Sequence, residues 1–572
     1  MGKFGSERSI GTDVLVIGGG FGGLYAAIKA KEEGARDVLI VDKGTAAMSS
    51  MSRMSAGSTV FVHPGDDVDE WHHAVFRGQR GLCNQDMAHE LLVESTDRLR
   101  ELESWGVAYR RDPHTGGYLR LPSRGLAPAM MTRRPTYKGL TGGAALTTVL
   151  RKRAVSLRVR FLNKTFISGL AVRDGRVLGA VGIDRRSGAI RQIAARAVIV
   201  AAADCGFHGA YAGVKAVTGD SFALAWRAGC DLVNMEFIAC NTGPIDFGFE
   251  GTGPAARLGA RFLNARGEAF MPQYHPEGDT AEITYLVQAM ADQVRRGNAP
   301  PFYLDFSGTD PAAVRANYME MGGFMPLNLR RMGERGIDVL ASRIPWAPAI
   351  QTHRGGIKTD AACMSSVEGL FAAGTAQSLG PGLFNGWSSA RCLWSGTTAG
   401  RHAARYAAQA DERTLKASDL EPLLPPLDRS RIGDGGALGV NEALAPLQRA
   451  LVHYETTILK SAASLARAQR AVAETRALLC EARQPDLHEF IKAREAENTC
   501  AAADLFLAAS MLREESRFDH KREDFPQQED AKWLRWIVLN RGLAAGHRFE
   551  DLPWNRYRLK PSDLWERGAS DA

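Results

Sequence analysis

The chain has 572 residues, too many for one hydrophobic core, and its length implies three or four domains. Apolar residues make up 45% and charged ones 24%, an ordinary globular composition, and no uncharged apolar run reaches about 18 residues, which argues against a membrane-spanning chain. The net charge of +7, from 71 basic and 64 acidic residues, comes from arginines dispersed along the chain, so no nucleic-acid partner is expected. Residues 1–13 carry no apolar export segment, and a cytoplasmic protein is expected. The eight cysteines show neither a CxxC pair nor metal-ligand spacing, so they read as reduced, buried thiols, with no metal site or iron–sulfur cluster in this chain.

The first predicted element is a short β-branched strand over Asp13 to Ile17, which runs directly into Gly18-x-Gly20-x-x-Gly23 and then into an Ala-rich helix reaching about Glu33. In such a turn Gly18 permits the bend, Gly20 lets a pyrophosphate approach the backbone, and Gly23 allows the helix to pack closely on the strand. Phe21 and Gly22 belong to the same turn, and the helix N-terminus supplies free N–H donors for phosphate. A second strand, Val38 to Val41, ends at Asp42, 24 positions after Gly18, where an acid can accept hydrogen bonds from ribose hydroxyls. Together these features predict dinucleotide binding, with Lys43 beside the acid.

Further along, residues 160–204 read as strands with turns at Asp174-Gly175 and Ser187-Gly188, ending in Ala197 to Ala203. After a long insertion the fold resumes at Gly369-Leu370-Phe371-Ala372-Ala373-Gly374 and at Gly380 to Ser389, which opens a helix through about Ala408. A dinucleotide fold resumed so far downstream predicts FAD rather than NAD, and a helix N-terminus at Gly386 to Ser389 suits negative charge on a reduced flavin. Residues 411–430 are rich in Pro and charge and read as a linker, and about 440–515 show long helical periodicity. The C-terminal tryptophans Trp533, Trp536, Trp554 and Trp565 are expected to pack on the body or on a partner.

These motifs, with Thr218-Gly219-Asp220, Met235-Glu236-Phe237, Asn264 to Met271, Gly355-Gly356-Ile357 and the run Arg513 to Pro526, resemble the flavoprotein subunits of succinate dehydrogenase, fumarate reductase, L-aspartate oxidase and adenylylsulfate reductase. The resemblance covers almost the whole chain. It implies an α/β fold: a discontinuous Rossmann-like FAD-binding domain (1–215 and 340–410), an inserted α+β capping domain (216–339), the 411–430 linker and a C-terminal helical domain (431–572). It implies an FAD-dependent oxidoreductase with FAD contacts at Gly18, Gly20, Phe21, Gly22, Gly23, Asp42, Lys43, Ser55, Asp220, Gly374, Ser388 and Ser389. Residues 49–57 contain no His, so the FAD is expected to be non-covalent. Thr375 stands where the family usually has an acid. Arg517 and His520 are expected to brace domain contacts.

The departures bear on substrate. No His follows Met235-Glu236-Phe237, where Asn241 falls, and no Arg lies in Asp279 to Tyr285 or in Leu383 to Gly386. A dianion would lose several charge-assisted hydrogen bonds, each worth roughly 1.5–3 kcal/mol, so ordinary succinate chemistry is disfavoured. Thr352-His353-Arg354-Gly355-Gly356 is similar to a segment of the adenylylsulfate reductase α-subunit, which puts His353 near the flavin as acid or base. Arg133, Tyr137, Arg391 and Asn241 are further candidates for substrate contact. The relatives imply that a chain acting on a small molecule exchanges electrons with a ferredoxin-like iron–sulfur β subunit. A stand-alone oxidase or dehydrogenase using O₂ or a soluble acceptor, and an electron-transfer flavoprotein without its own substrate, stay open.

Overall fold

A computed structural model describes residues 10–564 except 124–125, 133–134, 212, 246–251, 322–324, 339–342, 383–385 and 434–435. Its centre is a sheet in the order Arg160–Asn163, Val38–Asp42, Ile10–Ile17, Ile190–Val200, Arg176–Asp184, Thr165–Arg173, with Leu370–Ala372 paired to the end of Ile190–Val200. The strands nearest the centre are continuous β-branched runs because both faces are covered: Val14, Leu15, Val16, Val38 and Ile40 are fully buried. Helices Phe21–Glu32 and Trp387–Gln409 pack together on one face.

Parallel register aligns the carboxyl ends. Ile17 lies opposite Val200 and Val41, and Val200 lies opposite Ala372. The loops that follow, beginning at Gly18, Lys43, Ala201 and Ala373, therefore leave the sheet side by side although up to 355 positions separate them in the sequence. In open α/β sheets this is where ligands bind.

The cap is a second, antiparallel sheet in the order Ile238–Pro244, Arg343–His353, Phe302–Asp305, Arg261–Leu263, with a core that includes Phe262, Phe302, Leu304 and Trp346. The expected division at 339/340 does not follow this topology. Arg343–His353 pairs along its length with Ile238–Pro244 and with Phe302–Asp305, so it is a central strand of the cap. Hydrogen bonding with distant strands, which no local pattern reports, assigned it there.

Residues 411–430 do not form a free linker. Leu420 and Leu427 are buried against Phe166, Val181, Ile183 and Phe490, because the short turns there cover one end of the sheet. The C-terminal part is mainly an antiparallel helix pair, Ala462–Glu481 and Leu487–Leu512, joined at Leu465, Ala468 and Val472 to the same core as Ala496, Cys500 and Ala503. It ends in a hairpin, Arg535–Leu539 and His547–Asp551, whose first strand pairs with Leu232–Val233. Trp533 and Trp536 are buried there, and Trp565 lies outside the described residues.

A buried ion network ties this tail to the cap. Arg513 Nε donates to Glu236 at 2.7 Å and its Nη1 to Glu515 at 2.9 Å, and Arg517 Nε donates to Glu515 at 2.7 Å, with all four side chains at 0% exposure. Arg517 also reaches Asp530 and the Arg80 carbonyl, both at 2.8 Å. His520 is completely buried, with Nε2 3.1 Å from the Arg513 carbonyl.

Candidate active site

A cavity of about 540 Å³ begins at the aligned loops and extends under the cap. At its first end the glycine turn is tightly constrained. Gly18 has φ +107°, which favours glycine, and a Cβ on Gly23 would stand 1.9 Å from the Gly18 carbonyl oxygen. Asp42 accepts from the Gly19 N–H at 2.8 Å through Oδ2 and from the Gly44 N–H at 2.7 Å through Oδ1, so the acid also holds the loops together. Lys43 Nζ donates to Asp220 at 2.8 Å and Thr218 at 2.6 Å and pairs with Glu495 at 2.9 Å. Burial opposes its charge, but the two carboxylates hold the Lys43 ammonium well above the usual lysine range.

At the other end Gly374, Ser388 and Ser389 line the cavity, the two serines in the first turn of helix Trp387–Gln409. Gly18, Gly20, Phe21, Gly22, Asp42, Lys43, Ser55 and Asp220 also line it, whereas Gly23 sits behind the turn against Gly18. Two helix N-termini, a glycine turn with no room for a side chain at Gly18, Gly19 or Gly23 and a long channel between them fit FAD, whose pyrophosphate would be held at Gly18–Gly20, its adenosine by Asp42 and Lys43 and its ring system by Ser388 and Ser389.

The chamber beneath the cap is polar. Tyr211, Asn241, Arg257, Glu282, Gln351 and Thr352 line it. Asn241 Nδ2 and Gln351 Nε2 both donate to the Tyr211 hydroxyl, at 3.5 and 3.3 Å. Glu282 caps helix Ile283–Arg295, its Oε2 accepting from the Thr284 N–H at 2.7 Å. Asp204 is 2% exposed, and its Oδ2 accepts from the Thr352 hydroxyl. Burial pushes Asp204 up to about 6, opposed by the Thr352 hydroxyl, by the charge of Arg391 and by the nearby Thr375 hydroxyl and His353 N–H.

His353 is not in this chamber. Its ring lies among Phe207, Phe222 and Phe506, at 0% exposure, with Nδ1 accepting from the Gly355 N–H at 3.1 Å. Burial lowers it to about 3, so the imidazole is neutral and does not serve as the acid or base expected near the flavin. The reason is a bulge: Ala239 pairs with Thr352 but Cys240 with Ile350, leaving Gln351 as an extra residue that turns Gln351 and Thr352 to the cavity and His353 to the core.

Arg391 is 5% exposed within its helix and does not line the cavity. Tyr137 also lies off it, its hydroxyl accepting from Lys152 Nζ at 2.8 Å. Arg133 lies outside the described residues. Sequence reading missed Tyr211, Gln351, Asp204 and Glu282. Glu282 stands within the Arg-free segment Asp279 to Tyr285, and Gln351 lies two positions before His353. Among the described residues no group of three or more His, Cys, Asp or Glu is placed to hold a metal, and no helix is long and apolar enough to cross a membrane.

The sequence matches the FAD binding domain family over residues 13–389 and the fumarate reductase flavoprotein C-term family over 447–562. It is 28% identical over 553 residues to a fumarate reductase (CoM/CoB) subunit of Methanothermobacter marburgensis, spanning 93% of this chain and 97% of that one. It is 29% identical over 554 residues to the L-aspartate oxidase of Streptomyces coelicolor, spanning 93% and 92%. The fold is shared with E. coli quinol fumarate reductase, at a TM-score of 0.84 and 22% identity over 97% of this chain and 98% of that one. It is also shared with adenylylsulfate reductase from Archaeoglobus fulgidus, at 0.77 and 19% identity over 96% of each. With the glycine cradle, the paired helix N-termini and the buried tail network in place, the chain belongs to the FAD-binding flavoproteins of the fumarate reductase and succinate dehydrogenase family and is an FAD-dependent oxidoreductase.

Proposed function

We propose that this protein is a catalytic flavoprotein subunit that transfers two electrons between a small molecule held under the cap and FAD, and exchanges them with a ferredoxin-like iron–sulfur partner. The observation that carries this reading is the polar chamber continuous with the nucleotide cradle: an electron carrier without its own substrate has no use for it. FAD, when bound, supplies the hydride chemistry. The protein supplies orientation and a proton route. Asn241, Gln351 and Tyr211 are neutral hydrogen-bonding groups where a dianion would need cations, so the substrate offers hydroxyl, amine or carbonyl groups and at most one negative charge, for which Arg257 is a cation on the cavity wall. Glu282 is held in place by the helix it caps and is the proton acceptor or donor for the substrate. The first turn at Ser388 and Ser389 favours negative charge on the reduced ring. The cytoplasmic location belongs to this reading and is supported by the seven cysteines that are buried as thiols.

The partner reading is supported by relatives whose names are those of subunits. The L-aspartate oxidase relative, as similar as the first, favours a second reading in which O₂ or a soluble acceptor takes the electrons. Purification from the native host under anaerobic conditions separates the two: a brown heteromer with acid-labile sulfide supports the subunit reading, and a yellow homomer reoxidised rapidly by air supports the second. Anaerobic mixing with a metabolite panel tests both; flavin bleaching by none of the hydroxy, amino or carbonyl compounds, with reduction by succinate instead, would overturn the substrate reading.

A further inference from the structure

Asp204 is a buried carboxylate whose arrangement is incomplete within the protein. Its Oδ2 is hydrogen-bonded to Thr352, and the Thr375 hydroxyl and the His353 N–H lie near enough to favour its charge, while Oδ1 is buried with no hydrogen bond of good geometry from the protein. Leaving such an acceptor unpaired is unfavourable, so a donor is expected. Asp204 also follows Ala203, whose φ of +64° lies in the left-handed region that a residue with a Cβ seldom adopts. Strained backbone of this kind clusters at functional sites.

Topology says which donor. Ile10–Ile17 and Ile190–Val200 are parallel neighbours, and the Ala201 N–H donates to the Ile17 carbonyl at 2.8 Å, so the 201–204 loop starts beside Gly18. On its other side runs the loop after Leu370–Ala372, which carries Gly374 and Thr375. Asp204 thus lines the cavity between the phosphate cradle at Gly18–Gly20 and the ring end at Ser388–Ser389. The part of FAD that spans those two places is the ribityl chain, a polyol whose hydroxyls are donors.

We propose that Asp204 is a positioning residue for the flavin, its Oδ1 accepting a hydrogen bond from a ribityl hydroxyl. Arg391, buried in the helix opposite, contributes positive charge that keeps the carboxylate available as an acceptor, and Thr352 holds it in orientation. A hydroxyl or amine of the substrate is the other donor that the same cavity could bring to this oxygen, and the test separates the two.

The experiment measures binding of FAD and of three FAD analogues, each lacking one ribityl hydroxyl, to the deflavinated protein by quenching of flavin fluorescence without substrate. The wild-type protein is expected to bind one analogue about 10- to 100-fold more weakly than FAD, the size of one charge-assisted hydrogen bond. Asp204→Ala should bind FAD weakly and discriminate that analogue less than about threefold. Equal binding of FAD and all three analogues by the wild type overturns the proposal without relying on any variant, as does full discrimination retained in Asp204→Ala. A rise in KM for substrate in Asp204→Ala with unchanged FAD affinity overturns it in favour of the substrate as donor.

Discussion

Arg513→Met tests the bond between tail and cap. The substitution keeps much of the side-chain volume but removes the donor to Glu236, which is 0% exposed and whose Oε2 already has no hydrogen-bond partner. Glu515 keeps two bonds from Arg517, at 2.7 and 2.9 Å, so the charge left uncompensated is that of Glu236. Breaking a buried pair from one side costs about 3–5 kcal/mol. The Trp533 and Arg535 carbonyls, each held by Arg513 at 3.0 Å, lose a donor worth about 1 kcal/mol each. A chain of several domains need not unfold in one step, so the suitable readout is local: hydrogen exchange of the 234–237 backbone in the FAD-bound protein. The two carbonyls lie outside residues 234–237, so the ion pair's share alone, at about 1.4 kcal/mol per tenfold, should lower protection there roughly 10²- to 10⁴-fold. Adding Glu236→Gln removes the stranded charge and should restore more than half of the loss. Protection within about tenfold of wild type in Arg513→Met, or a double variant no better than the single one, would refute the assignment of this network as the clamp between tail and cap.

Other outcomes follow from the site. Gly23→Ala places a Cβ 1.9 Å from the Gly18 carbonyl oxygen, so helix and turn must separate; a stability loss of about 1–3 kcal/mol and a low flavin-to-protein absorbance ratio after purification are expected. Glu282→Gln should slow flavin reduction by substrate about 10²- to 10⁴-fold and leave FAD affinity unchanged, as read by stopped-flow absorbance and fluorescence titration. His353 has a pKa of about 3 in the folded protein and about 6.5 unfolded, so its contribution to stability is fully present above pH 6.5 and is lost as pH falls toward 3, at up to about 1.4 kcal/mol per unit. His353→Gln should therefore flatten the acid limb of stability by one proton, measured by denaturant titration at pH 4 to 7, while flavin reduction stays the same; a slower reduction with an unchanged acid limb would return His353 to the chamber.

The FAD end of the site was legible because its chemistry is local. A turn that excludes side chains needs glycine at fixed spacing, a helix N-terminus must follow it, and the acid after the second strand falls at a set distance, so Gly18, Gly20, Asp42 and the helix opening at Ser388 can be read from short windows. The helical periodicity of the tail is likewise a property of consecutive residues.

The end of the cavity under the cap depends on contacts that no window contains. Asn241, Glu282 and Gln351 come from three separate elements of the cap, and Asp204 from the loop after strand Ile190–Val200 of the other sheet; they meet because the cap lies over aligned loop ends. One extra residue in the Arg343–His353 strand exchanged the expected His353 for Gln351, since a strand has a period of two and a bulge reverses which face the following side chain takes. The same strand's place in the cap sheet was set by partners about a hundred residues earlier and forty residues earlier, not by its own composition. Sequence alone determined that this chain is a dinucleotide-binding flavoprotein with a helical tail, because those features repeat at fixed local spacing; tertiary structure decided which polar groups line the cavity under the cap, because strand pairing and burial are properties of residues far apart in the chain.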